Sequence, residues 1–430
     1  MKTSPARAAA FEILMRVETT DAYASELLNS SRFSKLSAAD HGLATELVMG
    51  VVRWRSVLDD AFGRHINKPL SKLDSEVLVA LRLGVYQLIF LDRIPRHAAI
   101  NDSVEIVKRA GKTSATGLVN AVLRKVVKPD VGPPAELAHP EWLVKRWSGN
   151  FGADAAEKIC EYDQHLPQAA FYADDPTLIT ELADGAMQLE PGKLLKNSFV
   201  LRSGDLSRTA AFQEHRLVIQ DEASQLVALL VGTGTNILDC CAAPGGKTRI
   251  IAERNPNASV VAMDLHPHRA RLLRKLVSEP NVLVVAGDAR RMPFAKKFDR
   301  ILVDAPCSGT GTLARNPEIK WRLTPEDIVR LQAYQIEILT AAMQHVTPGG
   351  RIIYSTCSLE PEENEIVVHG AIEAEPSFKV IDSREELQRL REDGELVWSN
   401  TGSLLSGPYL RTIPGVHPCD GFFAAILVKS

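Results

Sequence analysis

The chain has 430 residues, of which 45% are hydrophobic and 24% are charged, which is typical of a globular protein with two to three domains. This composition excludes a collagenous or low-complexity protein, and no stretch approaches the roughly 18 uncharged apolar residues that a membrane span needs. The N-terminus carries charges where a signal peptide would be apolar, and the six cysteines show neither a disulfide framework nor zinc spacing, so we expect a cytoplasmic protein without a metal.

The formal net charge of −3 conceals an asymmetry between the two ends of the chain. Residues 1–129 contain 19 Lys and Arg against 13 Asp and Glu, so the remainder is acidic. A basic lobe indicates a nucleic-acid partner or a merely solvated helical surface, and charge alone does not decide between them.

The first 130 residues predict a helical bundle, because apolar residues recur at helical spacing, as they do over residues 78–89. In the stretch NDSVEIVKRAG, Asn101 or Asp102 can cap the start of a helix, and Gly111 stands where that helix would end. Four prolines then follow within KPDVGPPAELAHP and mark a boundary.

The rest of the chain predicts two further domains. Residues 131–219 mix short helical and strand-like runs, as a linker and a small α+β domain would. Residues 220–430 alternate continuous apolar runs with helical segments, which predicts a doubly wound, Rossmann-like α/β domain with a mostly parallel sheet. The last apolar run, in PCDGFFAAILVKS, is predicted to form a strand at the edge of that sheet.

Ligands of such sheets bind beyond the carboxyl ends of the strands, so the loops there are candidate sites. The first loop, DCCAAPGGKT at residues 239–248, fails the phosphate-binding pattern because Cys241 stands where glycine is required. Gly245 and Gly246 nevertheless allow a backbone to approach a ligand closely.

Two acidic residues at later strand ends point to a nucleoside cofactor. Asp264 stands 25 residues beyond Asp239, near the distance at which dinucleotide-type folds place a carboxylate for ribose hydroxyls. Asp288 follows the third apolar run, where it can accept a hydrogen bond from an adenine amino group.

Two cysteines follow the fourth and fifth apolar runs, Cys307 in DAPCSGTGT and Cys357 in YSTCSLEPEENE. A lone cysteine there is more often a small buried hydrophobe, but two cysteines beside an adenosyl site favour chemistry. A thiolate can add to carbon 6 of a pyrimidine and so activate carbon 5 for methylation. Lys247, Arg315 and Lys320 are candidates, by residue type, for the positive charge that forms a thiolate. The residues alone do not rank the two cysteines.

Four stretches, DCCAAPGGKT, DAPCSGTGT, RNPEIKW and YSTCSLEPEENE, together resemble the RNA cytosine-5 methyltransferases that use S-adenosyl-L-methionine. Upstream, INDSVEIVKRAG and GLVNAVLRKV resemble the helical, RNA-binding NusB domain, and HPEWLVKRW and IQDEASQLVA resemble the bridge to the catalytic domain. A NusB-like domain joined to this catalytic domain is similar to bacterial enzymes that modify 16S rRNA. The resemblance covers nearly the whole chain.

The resemblance implies a role for each matched residue. Cys357 is the implied nucleophile, Cys307 helps to expel it once carbon 5 has lost its proton, and Asp304 contacts the base near N3 and N4. Contacts with S-adenosyl-L-methionine are implied for Cys241, Ala242, Ala243, Pro244, Gly245, Gly246, Lys247, Asp264, Asp288 and Asp304.

The implied organisation has three domains: a NusB-like RNA-binding domain (1–130), a linker with a small RNA-binding α+β domain (131–219) and the methyltransferase domain (220–430). The implied partner is 16S rRNA, free or in an early small-subunit particle, and we expect a monomer. One departure concerns residues 166–176, LPQAAFYADDP, where the family commonly has an arginine in a short strand. Phe171 and Tyr172 there either stack on an unpaired base or pack in a core.

Two other functions are compatible with parts of this pattern. A NusB-like bundle also suits a non-catalytic RNA-binding or ribosome assembly factor, although the presence of Cys307, Cys357 and Asp304 argues against it. A DNA cytosine-5 methyltransferase would carry a Glu-Asn-Val tripeptide after the Pro-Cys loop, and the sequence contains none.

Overall fold

The computed structural model describes residues 4–33, 35–185 and 187–430. They form two compact units, which we call the helical unit and the sheet unit. The helical unit comprises the chain up to Leu166 together with Leu313–Arg322, and the sheet unit comprises Pro167–Thr312 and Leu323–Ser430. The three-domain division of the sequence stays a prediction.

The helices and strands are numbered in chain order. The helices are α1 (Pro5–Thr19), α2 (Ala24–Leu28), α3 (Ala38–Arg53), α4 (Arg55–Gly63), α5 (Ser75–Phe90), α6 (Arg96–Arg109), α7 (Thr116–Lys125), α8 (Glu141–Phe151), α9 (Ala153–Asp163), α10 (Pro176–Asp184), α11 (Ala210–Gln213), α12 (Glu222–Leu230), α13 (Gly246–Arg254), α14 (Pro267–Leu276), α15 (Ile319–Arg322), α16 (Pro325–Gln344), α17 (Glu365–Ala374) and α18 (Ser383–Glu392). The strands are β1 (Ala170–Tyr172), β2 (Gln188–Pro191), β3 (Ser198–Ser203), β4 (Asn236–Asp239), β5 (Ser259–Asp264), β6 (Val282–Ala286), β7 (Phe298–Asp304), β8 (Val346–Thr356), β9 (Phe378–Ile381), β10 (Leu405–Ser406), β11 (Tyr409–Arg411) and β12 (Phe423–Lys429). None of these helices combines the length and apolarity that crossing a membrane requires.

The helical unit confirms the predicted helical N-terminus. Helix α5 is its most buried helix, because the sequence SEVLVALRLGVYQLIF is apolar on nearly every face. Helix α6 begins at Arg96, directly after Pro95, so the prediction that it starts at Asn101 or Asp102 was wrong. Gly111, with a φ of 79°, lies just beyond its end as predicted.

A three-stranded antiparallel sheet in the order β1-β3-β2 precedes the large sheet within the sheet unit. Phe171 in β1 is fully buried, and its ring stacks on that of Phe199 at 5.9 Å between centroids. Phe171 therefore packs in a core, the second of the two roles considered for it.

The large sheet has the order β10-β11-β12-β8-β7-β4-β5-β6, with β9 also paired to β12. The pairs from β8 to β6 are parallel, and their residues alternate between two cores: Ile237 and Ile353 face one, and Leu238 and Ile352 face the other. Both faces are covered, which confirms the Rossmann-like prediction. The predicted edge position of the last strand was wrong, because β12 lies between β8 on one side and β9 and β11 on the other.

The strand order places the candidate site. Beyond β4 the chain proceeds outward to β5 and β6 and then returns to the other side of β4 with β7. The loops after β4 and β7 therefore flank the switch point, where open α/β sheets bind ligands.

Candidate active site

The loop between β4 and α13 is a tight turn that depends on two glycines. Gly245 has a φ of 117°, in the left-handed region that favours glycine. A Cβ there would lie 2.4 Å from Cγ2 of Val277, and a Cβ on Gly246 would lie 2.8 Å from Oε1 of Gln220. A side chain is excluded at Gly245, whereas at Gly246 it would displace the end of the Gln220 side chain. The turn leads into the first turn of α13, whose amides lack intrahelical partners and suit an anionic group.

Two acidic side chains lie at the ends of β5 and β6, the next two strands of the sheet after β4. Asp264 ends β5 and is 2% exposed, and its carboxylate accepts hydrogen bonds from the amides of Ala243 at 3.3 Å and His266 at 3.1 Å. Asp288, two residues beyond β6, is more open, and its hydrogen bond with Arg290 lowers the pKa of its carboxyl. These carboxylates and the glycine turn thus lie at the ends of three adjacent parallel strands.

Cys307 and Cys357 follow β7 and β8, which are neighbouring parallel strands. Their Sγ atoms are 3.3 Å apart, within hydrogen-bonding distance. The contact with Cys357, together with burial and the negative charges of Glu363 and Asp304, raises the pKa of Cys307 well above its ordinary value. Cys307 is therefore held as a thiol and can donate its S–H to the Cys357 sulfur.

Asp304, the last residue of β7, is fixed by two hydrogen bonds. Lys247 Nζ donates to its Oδ2 at 2.8 Å, and Ser355 Oγ donates to its Oδ1 at 2.8 Å. Lys247 Nζ also lies 5.1 Å from the centroid of the Phe422 ring, at cation–π distance. The Asp304 side chain remains 27% exposed, so a ligand can reach it.

The residues proposed from the sequence lie together at the carboxyl ends of the parallel strands. Of the three cations considered, Lys247 contacts Asp304, whereas Arg315 and Lys320 belong to the helical unit. All six cysteines are free thiols, and within the described ranges no three His, Cys, Asp or Glu side chains cluster as metal ligands would.

Sequence reasoning missed the side chains that join the two cysteine loops, namely Ser308, Ser358 and Glu363. The acidic run EENE after Cys357 was the one available signal, and nothing in it distinguishes a buried carboxylate from an exposed one.

Comparisons with known proteins give matches along the whole chain. The model of the 16S rRNA methyltransferase RsmB/F family matches residues 227–428, and that of the NusB family matches residues 4–128. The chain is 35% identical to the probable ribosomal RNA small subunit methyltransferase B of Bacillus subtilis over the full length of both proteins. This chain belongs to the RsmB/F family. It is also 32% identical to the ribosomal RNA small subunit methyltransferase B of Vibrio cholerae, over 98% of this chain and 97% of that protein.

Solved structures show the same fold for this RsmB/F family member. PH0851 aligns over all of both chains with a TM-score of 0.80 and 23% identity. A methyltransferase homolog protein from Pyrococcus horikoshii aligns over 70% of this chain and 100% of its own, with a TM-score of 0.56 and 25% identity.

The family depends on S-adenosyl-L-methionine, which is accordingly the cofactor of this chain. The residues present fit it. The turn at Gly245 and Gly246 leads into the first turn of α13, whose amides suit an anionic group. Carboxylates such as those of Asp264 and Asp288 are the type of acceptor that the hydroxyl and amino donors of a nucleoside require, and their contacts with the cofactor stay a prediction.

Proposed function

We propose that this RsmB/F family member transfers a methyl group from S-adenosyl-L-methionine to carbon 5 of a specific cytosine in 16S rRNA through a covalent adduct between Cys357 and carbon 6. The observation that carries the proposal is the 3.3 Å contact between the Sγ atoms of Cys307 and Cys357, beside the Asp304–Lys247 pair. A single buried cysteine would fill space, whereas two sulfurs in contact next to a partly exposed carboxylate suit addition and elimination at a base.

The proposed residue roles follow from this arrangement. The cofactor supplies the electrophilic methyl group. Cys357 adds to carbon 6 as a thiolate, and the electron pair displaced from the 5,6 double bond makes carbon 5 nucleophilic. Asp304, oriented by Lys247 and Ser355, contacts the base near N3 and N4 and favours this charge distribution.

The last step restores the base. After carbon 5 has used that electron pair to bond the methyl group, it loses its proton to a water molecule. The electron pair of the broken C–H bond reforms the 5,6 double bond, and the bond between carbon 6 and Cys357 breaks with its electrons remaining on the sulfur. The Cys307 thiol donates a hydrogen bond to the departing sulfur and so assists its release. The cytosine must be turned out of its stack to reach both cysteines.

The proposed roles predict opposite effects of the two cysteine substitutions on the protein–RNA adduct. We expect Cys357→Ala to abolish both methyl transfer and the protein–RNA adduct, because no sulfur adds to carbon 6. Cys307→Ala should accumulate an adduct that survives denaturing electrophoresis, because addition persists while release slows. The measurement is radiolabelled methyl transfer to unmodified 16S rRNA together with adduct gels.

The control is Cys160→Ala, at a buried free thiol of the helical unit, which should behave as wild type. Adduct accumulation in Cys357→Ala and its loss in Cys307→Ala would reverse the assignment. Tight RNA binding without any methyl transfer by the wild-type protein would instead identify an RNA-binding factor, and a preference for duplex DNA would identify a DNA methyltransferase.

A further inference from the structure

A buried carboxylate lies between the two cysteine loops. Glu363 is fully buried and accepts hydrogen bonds from donors of both loops. Its Oε1 accepts from the amide of Ser308 at 2.8 Å and from Nε2 of Gln335 at 2.9 Å. Its Oε2 accepts from the hydroxyls of Ser308 and Ser358.

Two of the residues that donate to Glu363 are neighbours of the two cysteines in the chain. Ser308 directly follows Cys307, and Ser358 directly follows Cys357. The two hydroxyls also lie 3.1 Å from each other. Both cysteines are therefore adjacent in the chain to a serine that is tied to the same carboxylate.

The third residue that donates to Glu363, Gln335, connects the two cysteine loops to a long helix. Gln335 belongs to α16, a helix of 20 residues that starts with a capping box. Its Nε2 donates to Glu363 and also to the carbonyl oxygen of Pro306, the residue before Cys307. The Cys307 loop is thus held on both sides of the cysteine.

Burial of the Glu363 carboxylate costs desolvation free energy. Burial raises the pKa of Glu363, although the hydrogen bonds from Ser308, Ser358 and Gln335 oppose that effect. An apolar side chain of similar volume would avoid the desolvation cost, so packing alone does not account for a carboxylate here.

We propose that Glu363 is a positioning residue that holds the Cys307 and Cys357 sulfurs in contact for release of the adduct. The inference rests on the proposed function, because the contact has this use only if Cys307 assists the departure of Cys357. Two links that do not involve Glu363 also join the loops: the amide of Gly311 donates to the Cys357 carbonyl at 2.9 Å, and that of Leu359 donates to Thr310 Oγ1 at 2.9 Å. Loss of the carboxylate should therefore loosen the sulfur pair without separating the loops.

The test compares Glu363→Ala with Glu363→Gln in the full chain. Alanine leaves the donors of Ser308 and Gln335 without their acceptor, and we expect kcat to fall about 100-fold, as misplacement by about 1 Å can cause. Adduct should accumulate as in Cys307→Ala, and because breakdown of the adduct then limits turnover, the apparent KM for RNA should fall together with kcat. Glutamine can accept from Ser308 N and Gln335 while its NH2 group donates to the two hydroxyls, so it should keep kcat within about tenfold of wild type.

A third variant, Ser358→Ala, tests the inference even if Glu363→Ala does not fold. Ser358→Ala removes one donor and leaves the carboxylate in place, and it should raise the adduct fraction above wild type but below that of Cys307→Ala. Glu373→Ala, at an exposed glutamate of α17, is the matched control and should behave as wild type.

Two outcomes separate the inference from the proposed function. If Cys307→Ala traps adduct but the folded Glu363 and Ser358 variants show no more adduct than wild type, the positioning role is wrong and the proposed function stands. If Cys307→Ala traps nothing and wild type methylates no cytosine, the proposed function itself fails.

Discussion

The carboxylate of Asp304 is held in a fixed orientation before any ligand binds. Its oxygens are already oriented by Lys247 and Ser355, so a base that contacts it requires little rearrangement. Asp304→Asn keeps the size of the side chain but removes its charge, and it leaves Lys247 without a counter-ion. We expect kcat for methyl transfer to fall about 100-fold, whereas unchanged turnover would remove Asp304 from the mechanism. Asp184→Asn, at an exposed residue of α10, is the control.

Sequence reasoning located side chains whose position follows from the strand pattern and missed those defined by tertiary contacts. Cys307, Cys357 and Asp304 could be placed because each stands where an apolar run ends. Glu363 could not, because its partners come from another loop and from α16, which no local pattern brings together. Lys320 was considered by type alone, and in the structure it lies buried in the helical unit.

At the scale of elements, close packing between loops fixes the Cys307 turn. A Cβ on Gly311 would lie 2.1 Å from the carbonyl oxygen of Gly421, and Gly421 N donates to Gly311 O at 2.8 Å. Gly311→Ala must therefore push the two segments apart, and we expect a loss of about 1–3 kcal/mol in unfolding free energy together with reduced methyl transfer. Thermal unfolding and methyl transfer measure the two effects.

The control for this prediction is another glycine-to-alanine change. A Cβ on Gly117 in α7 would have open space around it, with no atom within 4 Å, so Gly117→Ala should raise stability by about 0.5–1 kcal/mol. Equal effects of the two substitutions would show that the contact with Gly421 is not restrictive.

The two errors at this scale have physical explanations. The last strand was assigned to an edge because it ends the chain, but five of its residues in succession are buried, which is the pattern of a central strand. The start of α6 was assigned to polar capping residues, but the helix begins directly after Pro95, whose fixed φ suits a helix start and whose missing donor is not needed there. Asp102 instead pairs with Arg7 at 3.2 Å.

At the scale of the whole molecule, the chain order does not coincide with the compact units. The stretch RNPEIKW follows the Cys307 loop in the sequence, yet its residues belong to the helical unit. Trp321 Nε1 donates to the carbonyl oxygen of Val52 at 2.7 Å, and Glu318 accepts from the amide of Ala24 at 2.7 Å. Contacts across some 270 to 290 residues leave no trace in local periodicity, so division of the sequence into consecutive domains could not reveal them.

This inserted segment makes the stability of the helical unit depend on pH. Lys320 is 1% exposed, and its Nζ has no hydrogen-bond partner among the described residues. Burial lowers its pKa from 10.5 to about 7, although the negative charge of Asp163 opposes this effect and the positive charge of Arg53 adds to it. Between these two values the unfolded chain binds more protons than the folded one, so the unfolding free energy rises with pH. The contribution is complete above 10.5 and is lost as the pH falls through 7.

We therefore expect the unfolding free energy of wild type to rise more steeply than that of Lys320→Met between pH 7 and about 8.5, with a difference of at most about 1.4 kcal/mol per pH unit. The neighbouring titrating groups, His139 with a pKa lowered by burial and Cys160 with a pKa raised by burial, are present in both proteins, so the comparison of the two slopes isolates Lys320. Urea unfolding followed by tryptophan fluorescence in a Trp398→Phe background isolates the helical unit, because the other four tryptophans lie in it. Equal slopes for the two proteins would mean that Lys320 stays charged in the folded state, with a counter-charge provided by a rearranged Asp163.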